Sequence, residues 1–403
     1  MDFLWKEPDT TCRNRPQAQL ILQALRAALR IAAPGVALDV GATGMTEDLP
    51  APFGTGIHAG RVGDLSPHPG LMVHLWSALA TGDATLARQA LTMPAPKPVT
   101  TAWVTYARDH DDIDWAISDQ DAARAGLSGD AHRDYLADFY AGRSPRSFAR
   151  GSDVRTGPAP GERRTSGSLA SLAGVESAKA PGADPADLDR ALGRVFLLHA
   201  VLYGYGGIPR LTMGDELGLC SNHNGGTPDA GEDTDADTAT SADTDTTGNA
   251  PGRHRLALPW DVAERRHDPD STEGRIFSGL AHLARVRTGL PGLHASVEAV
   301  PVDVGNRAVL GLLRRHPAGE LIQLYNVSGT WQRVPFEVLD RARPPAGTPR
   351  SDLQRWEFIS AFEPTPAPGD GDGTGDGNGN GDDAPALALP PYAAWWVGFR
   401  PAP

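Results

Sequence analysis

The stretch YARDHDDIDW, at residues 106–115, places one histidine, four aspartates and one arginine between two aromatic residues. Aspartate carboxylates can act as nucleophiles, move protons or stabilise developing positive charge, and histidine can donate or accept hydrogen bonds. A second acidic pair, Asp215 and Glu216, follows the apolar run IPRLTM. Both sets of acids come directly after apolar segments of strand length. In a (β/α) barrel, the carboxyl ends of the strands carry the chemistry.

The segments before these acids predict alternating helices and strands. Residues 16–33 place six apolar side chains on one helical stripe, with glutamine and arginine opposite: Leu20, Ile21, Ala24, Leu25, Ala28 and Leu29. GVALDVGA, at residues 35–42, has the length of a short strand. A second helix is predicted over LMVHLWSALATGDATLARQAL from Leu71, and a strand over TAWVTY from Thr101. A third helix, at residues 184–207, precedes the IPRLTM strand. This alternation predicts βα units around a parallel sheet.

The rest of the chain divides into three further regions. Residues 116–180 are polar and partly helical, and they read as an inserted subdomain between the barrel units of 1–115 and those of 181–292. The last barrel units contain an acidic stretch at 225–251 that is predicted to be disordered. From about residue 293 to 403 the apolar period changes to two, which predicts an antiparallel β-sandwich with a low-complexity loop at 363–386.

The charge of the chain is concentrated in two places. The formal net charge is −13, and the 225–251 and 363–386 stretches hold seven and six acids with no lysine or arginine. The remainder is balanced, which argues against nucleic-acid binding. Cys12 and Cys220 are far apart in sequence, so neither a disulfide framework nor a metal site is predicted, and no cofactor is expected. The sequence has no signal-peptide pattern and no long apolar run, so we expect a cytoplasmic protein without a membrane partner.

Several motifs lie in the order in which amylosucrases carry similar segments. These are YARDHDDIDW, SFARG, RRTSGSLASLAGVE, GIPRLTMGDELG, AERRHDP with EGRIF, and VLGLLRRHPAG with LYNVS. The chain therefore resembles amylosucrases, which belong to the α-amylase superfamily, glycoside hydrolase family thirteen. The resemblance implies an α/β fold: the C-terminal half of a (β/α)8 barrel with an inserted helical subdomain, followed by the β-sandwich. It also implies transfer of a glucosyl unit from sucrose to an α-glucan or to water.

The resemblance further assigns roles to five residues. Asp111 would stabilise the positively charged transition state, and His110 would hydrogen-bond the hydroxyls of the glucosyl unit. Asp112 matches a position that contacts the acceptor sugar. Arg133 and Arg164 match the acceptor-binding arginines of the family's inserted subdomain, where their planar forks suit sugar hydroxyls. Sucrose or an α-glucan is the ligand that this set implies.

Two catalytic positions of the family are not matched. Retaining enzymes need two carboxyl groups about 5 Å apart, one as nucleophile and one as acid. The nucleophile position falls before Met1, and Gly41 occupies the position of the acid, with Glu47 as the nearest glutamate. Pro251 occupies the position of a pocket arginine. We therefore expect the chain alone to be close to inert.

Strands one to four of the barrel are also unmatched, which predicts an open half-barrel with exposed edges and inner face. A separately encoded N-terminal half-barrel is one partner that would cover them. Two alternatives to the amylosucrase-type enzyme stay open: a non-catalytic α-glucan-binding remnant, and a hydrolase or isomerase of the same superfamily.

Overall fold

The computed structural model describes residues 4–10, 12, 15–41, 51–92, 96–109, 112–155, 163–221, 258–317, 319–340 and 386–399. The predicted catalytic pair His110–Asp111 lies outside these residues. So do the acidic stretch 225–251, residues 363–385 of the low-complexity loop, Glu47 and Pro251.

The described residues contain helices and strands along their whole length. The helices are α1 (Pro16–Ala32), α2 (Pro69–Thr81), α3 (Thr85–Thr92), α4 (Asp119–Arg124), α5 (Gly129–Tyr140), α6 (Leu169–Leu172), α7 (Val175–Ala178), α8 (Pro185–Tyr205), α9 (Trp260–Glu264), α10 (Thr272–Thr288) and α11 (Glu337–Asp340). The strands are β1 (Leu65–Pro67), β2 (Ala102–Thr105), β3 (Ile113–Asp114), β4 (Ser152–Arg155), β5 (Arg163–Ser166), β6 (Ile208–Pro209), β7 (Val300–Val302), β8 (Val309–His316), β9 (Gly319–Asn326), β10 (Gln332–Pro335), β11 (Ala386–Leu389) and β12 (Ala394–Phe399).

Four parallel segments follow one another in chain order. β1, β2 and β6 form a parallel sheet in the order β1-β2-β6. Beyond β1, Asp39 makes a parallel bridge with Leu65, and the backbone N–H of Val40 donates to the Leu65 carbonyl at 2.9 Å. Sequence order equals spatial order, as in the wall of a (β/α) barrel. The described residues form part of such a wall and no closed barrel.

Helices pack on this sheet at defined points. In α8 the Leu202 carbonyl accepts a hydrogen bond from the Thr105 hydroxyl of β2 at 3.0 Å. Arg26 of α1 is buried and pairs with Asp64, the residue that precedes β1. The helix predicted from Leu71 is in fact two helices, because Gly82 adopts φ 67° and ends α2. Only glycine enters that left-handed region without steric cost.

The orientation of α1 differs from that of an ordinary amphipathic helix, whose apolar stripe packs inward. Four residues of the predicted stripe are exposed: Leu20, Ala24, Leu25 and Ala28. Ile21 and Leu29 are only half-buried, whereas Gln19 and Arg26 are buried. Sequence periodicity located the stripe correctly, but the buried face of the helix is the opposite one, which carries Gln19 and Arg26.

Two predicted strands are shorter and more exposed than expected. GVALDVGA contributes only the Asp39 bridge to the sheet. IPRLTM contributes the two residues of β6, and Ile208, Leu211 and Met213 are exposed, so it is not a buried strand. Both segments lie at edges of the sheet, where one side has no neighbour within the described ranges.

The region predicted as a partly helical insert also contains strands, which the sequence prediction did not include. It begins at β3, directly after Asp112, and contains the antiparallel sheet β3-β5-β4 together with α4 and α5. The buried Trp115 indole donates to the Thr165 hydroxyl of β5 at 3.1 Å. Because β3 continues from the loop that follows β2, the small sheet is anchored at the carboxyl edge of the parallel sheet.

The C-terminal region has two sheets, as expected for a sandwich. The order β12-β9-β8-β7 forms one, and β10-β11 forms the other. Side chains of both join one buried cluster, including Val334, Leu389 and Trp395. The adjacent Trp396 belongs instead to the larger cluster that contains α8. Within this region of predicted strands, β10 ends at Pro335 and residues 337–340 form the helix α11 instead.

No membrane-crossing helix exists in the part of the chain that the structure describes, since each helix there is too short or too polar.

Candidate functional site

The loops after β2 and β6 meet at the carboxyl edge of the parallel sheet. The Arg210 N–H donates to the Thr105 carbonyl at 2.8 Å. The Thr212 hydroxyl donates to the Arg108 carbonyl at 2.9 Å. These two bonds join the chain at the end of β2 to the chain at the end of β6. The segment that leads into His110–Asp111 is therefore fixed to the segment after β6.

A buried ion pair strengthens this junction. The Arg108 Nε donates to Asp215 Oδ1 at 3.1 Å, and the two side chains are 4% and 3% exposed. Burial raises the pKa of the Asp215 carboxyl to about 6, although Arg108 opposes the rise. The sequence marked both acidic segments as strand ends but did not predict this contact. The sequence offered one signal for this contact, namely that the two acidic segments follow consecutive predicted strands.

A second cation, Arg210, lies close to the end of β2. The Arg210 guanidinium lies 4.5 Å from the centre of the Tyr106 ring and 3.8 Å from Asp109. Burial raises the pKa of Asp39, and the positive charge of Arg210 opposes this rise. A carboxyl group with a raised pKa is therefore present on the strand segment that ends at Gly41, a feature that sequence reasoning missed.

Gly41 itself is exposed at the end of that segment. A Cβ atom built on Gly41 would meet no atom of the described residues within 4 Å. Because alternate residues of an extended segment face the same side, Asp39 and Gly41 share a face. Position 41, for which the sequence comparison predicts the acid, thus has room for a side chain among the described residues.

The structure brings two of the predicted acceptor residues to one small sheet. Asp112 is half-buried and immediately precedes β3, and Arg164 lies on β5, the neighbouring strand. Arg164 pairs in register with Asp114, and their side chains form an ion pair at 3.3 Å. Since Arg164 and Asp114 are both exposed, the guanidinium can exchange this surface partner for a ligand at small cost.

Arg133 occupies a different environment, on α5. Its Nη1 donates to the Ile117 carbonyl at 2.7 Å and pairs with Asp119 at 2.9 Å. Its Nη2 pairs with Asp130, and the side chain is 13% exposed. Ile117 and Asp119 connect α5 to the start of α4, whereas Asp130 lies on α5 itself. Both terminal nitrogens of the guanidinium therefore have partners within the chain.

Comparison with known proteins places the fold but not the family. No family model matches the sequence. The α-amylase from H.orenii superposes with a TM-score of 0.50 at 9% identity, over 95% of this chain and 57% of that one. The sucrose 6F-phosphate phosphorylase from Thermoanaerobacter thermosaccharolyticum superposes with a TM-score of 0.52 at 13% identity, over 81% of this chain and 54% of that one. Both have the fold of the α-amylase superfamily. This chain spans a little over half the length of each.

Proposed function

We propose that this chain is the rear half of an α-glucoside-processing enzyme of amylosucrase type, close to inert when alone. The proposed reaction is retaining transfer of a glucosyl unit from sucrose to an α-glucan or to water. The observation that carries the proposal is the set of parallel segments in chain order, with Asp39, β1, β2 and β6 in neighbouring positions. Polar loops follow two of these segments at the edge where barrels carry their chemistry.

The proposal gives each predicted residue a role at that edge. Asp111 stabilises the oxocarbenium-like transition state, and His110 bonds the glucosyl hydroxyls. Asp112 and Arg164 contact the acceptor from the small antiparallel sheet, a shared acceptor side that is supported because Asp112 directly precedes β3 and Arg164 lies on the neighbouring strand β5. Arg133 acts on the acceptor side by holding α5 in place, since its donors already have partners within the chain.

We expect the chain alone to be inert because two catalytic positions, those of the nucleophile and of the acid, are not filled. Proton donation contributes roughly 100- to 10,000-fold to such rates, and a covalent nucleophile contributes further orders of magnitude. Gly41 stands at the acid position and has no side chain to donate a proton. An active enzyme of this type therefore requires front βα units that bring the nucleophile, with sucrose or an α-glucan as substrate.

A turnover assay tests the proposal. The purified 403-residue chain is incubated with sucrose, and released fructose is measured beside the Asp111→Asn and Asp39→Asn variants. We expect no release above background from any of them. Fructose release by the unmodified chain that disappears in Asp111→Asn would overturn the expectation that the chain alone is inert. Release that disappears in Asp39→Asn would identify Asp39 as the proton donor.

The second candidate function is α-glucan binding without catalysis. The Arg164 side chain, which is 42% exposed on the strand next to β3, favours it, because this acceptor side does not depend on the unfilled catalytic positions. Electrophoresis through gels with and without soluble α-glucan measures the binding. Retention that Arg164→Ala and Asp112→Ala both abolish, without fructose release in any assembly, would support this candidate over the enzyme.

A further inference from the structure

A small cavity lies where the parallel sheet meets the C-terminal sheets. Its volume is about 140 Å³. The lining includes Lys97 and Val99, which precede β2, and Tyr205 and Gly206, which precede β6. Residues 295–299, which precede β7, also line it. None of the described lining residues belongs to the loops after β2 and β6, so the cavity is separate from the predicted catalytic edge.

Two arginines lie directly behind the cavity lining. Arg314 of β8 is fully buried and donates to the carbonyls of Tyr205 and Val297. Arg287 of α10 donates to the Gly207 carbonyl. Within the described ranges, neither guanidinium forms an ion pair with a carboxylate. Carbonyl dipoles satisfy the N–H groups without cancelling the two charges, so the cavity lies in a positive potential.

The layer that separates the cavity from Arg314 is thin because it contains a glycine. Gly206 lines the cavity and adopts φ 89°. A Cβ atom built on it would lie 2.8 Å from Arg314 Nη1 and 2.9 Å from Cζ. The backbone therefore packs directly against the guanidinium, as only a residue without a side chain permits. One layer of backbone separates the buried charge from the cavity.

Two polar groups of the lining have hydrogen-bond donors to offer. Lys97 Nζ donates to the Thr101 carbonyl at 2.6 Å, which uses one of its three N–H groups. His68 Nδ1 accepts from the Leu71 N–H at 3.0 Å, so the ring proton lies on Nε2 and is donated to the Tyr205 hydroxyl at 3.3 Å. The Tyr205 hydroxyl keeps its own proton for a further acceptor. An ammonium group and a phenol group from separate elements thus face one cavity.

The charges around Lys97 favour an anion. Burial lowers the pKa of the Lys97 ammonium, and the nearby charge of Arg314 lowers it further. Glu298 opposes this effect, but it is exposed, so solvent screens its charge. Glu298 is the only acid among the described lining residues. A negative charge inside the cavity would offset the repulsion between Lys97 and Arg314.

We infer that this cavity binds a small tetrahedral oxyanion, either inorganic phosphate or the phosphate group of a small ester, through Lys97 and Tyr205. Arg314 and Arg287 supply the positive potential from behind the lining. The size fits, because a cavity of roughly 150 Å³ holds a ring of six carbon atoms and phosphate has fewer heavy atoms than that. The bound ion would contact the segments before β2, β6 and β7, and should therefore stabilise the packing of the parallel sheet on the sandwich.

Isothermal titration calorimetry of the 403-residue chain with sodium phosphate tests this site, with sodium chloride keeping the ionic strength constant. We expect one phosphate per chain. Lys97→Met should weaken binding about tenfold or more, because it removes a charge-assisted hydrogen bond, and Tyr205→Phe should also weaken it. Lys179→Met, at an exposed lysine paired with Glu273, is the matched control and should bind phosphate as the unmodified chain does. Circular dichroism checks that each variant is folded.

Glu298→Gln provides a test in the opposite direction. This variant removes the one acid of the described lining, so it should bind phosphate at least as tightly as the unmodified chain. Loss of binding in Glu298→Gln overturns the phosphate site, because the carboxylate rather than the cations would then hold the ligand. Absence of binding by the folded unmodified chain overturns it too, as does equal affinity in Lys97→Met and Lys179→Met.

A parallel titration with glycerol 3-phosphate identifies the source of the phosphate group. Comparable affinity for this ester and for inorganic phosphate supports a site for the phosphate group of a small metabolite. Binding of inorganic phosphate alone supports a site for the free ion. In both cases the Lys97→Met variant should lose affinity, whereas the Lys179→Met control should not.

Discussion

Arg108 and Asp215 form a buried ion pair that joins the loops after two neighbouring parallel strands. Arg108 lies two residues before His110, so the pair fixes the backbone that leads into the predicted catalytic residues. The Thr212 hydroxyl bonds the carbonyl of the same arginine. The site is thus built on a polar junction inside the protein.

The first prediction concerns removal of one partner of this pair. Asp215→Asn leaves the Arg108 charge buried without its counter-ion, so we expect a loss of about 3–5 kcal/mol in the free energy of unfolding at pH 7. Urea titration measures it. Arg108→Met/Asp215→Leu removes both charges and should be close to neutral. Asp187→Asn, in the exposed pair with Arg190, is the control and should cost about 0–1 kcal/mol. If Asp215→Asn lowers the free energy of unfolding no more than Asp187→Asn does, the prediction is contradicted.

The second prediction is the pH dependence that Asp215 contributes. Its pKa is raised from 3.8 to about 6 in the folded protein. The folded state therefore holds this proton more tightly, and the stabilisation is present below pH 3.8 and lost as the pH rises through about 6. Relative to Arg108→Met/Asp215→Leu, the unmodified protein should lose up to about 1.4 kcal/mol per pH unit between these limits. Urea titrations at three pH values measure the slope, and a slope of opposite sign is incompatible with it.

The third prediction concerns acid sensitivity from buried histidines. Burial lowers the pKa of His68 to about 3, and of His132 and His199 to about 4. Their contribution to the free energy of unfolding is present above pH 6.5 and is lost as the pH falls toward 4. This pH dependence is opposite in sign to that of Asp215. Each contributes up to about 1.4 kcal/mol per pH unit, so the three histidines outweigh the one aspartate and the protein should weaken in acid. His132→Gln can keep a hydrogen bond to Ser77. In acid, this variant should take up one proton fewer on unfolding than the unmodified protein. An unchanged proton uptake on unfolding would refute this assignment.

The fourth prediction concerns restoration of the acid. Gly41→Glu should fold with little loss of stability, because a Cβ there meets no described atom within 4 Å. In complex with a front half-barrel that carries the nucleophile, it should raise sucrose turnover by roughly 100-fold or more. Gly41→Gln has the same size but no proton to donate. Equal rates for the two variants would show that residue 41 is not the acid position.

The fifth prediction separates the two arginines. Arg133→Gln should cost about 1.5–3 kcal/mol in the free energy of unfolding, because the side chain donates to the Ile117 carbonyl and pairs with two aspartates. Arg164→Gln should cost about 0–1 kcal/mol, since its pair with Asp114 is exposed. Retention on soluble α-glucan should fall in Arg164→Gln and persist in folded Arg133→Gln. If retention instead falls in Arg133→Gln and persists in Arg164→Gln, Arg133 is the arginine that contacts the glucan.

Long periodic segments were the most predictable part of the fold. The helix at residues 184–207 and the strand TAWVTY are confirmed as α8 and β2. The strand β1 was missed because Leu65–Pro67 is three residues long and shows no alternation. The small sheet of the insert was missed for the same reason, since β3 has two residues. Short strands receive their stability from partners that a local pattern does not reveal.

Contacts between loops were the least predictable part of the site. Asp215 was recognised as a strand-end acid, but its partner Arg108 lies 107 residues earlier in the sequence. The apolar stripe of α1 was located correctly, yet its exposure depends on what lies beside residues 36–40. Asp39 went unnoticed because the partial burial that raises the pKa of its carboxyl depends on the fold and is not visible in a single aspartate within an apolar run.

The fully buried Arg314 of β8 has a consequence for how the protein loses its structure on heating. Its guanidinium bonds the carbonyls of Gly292, His294 and Val297 at 2.6, 2.9 and 2.7 Å, and that of Tyr205 at the end of α8. Melting of the C-terminal sheets would remove Arg314 together with β8 and leave the Tyr205 carbonyl, at the end of α8, without its hydrogen-bond donor. The sandwich and the parallel strands should therefore disappear in one calorimetric peak, as a single cooperative block.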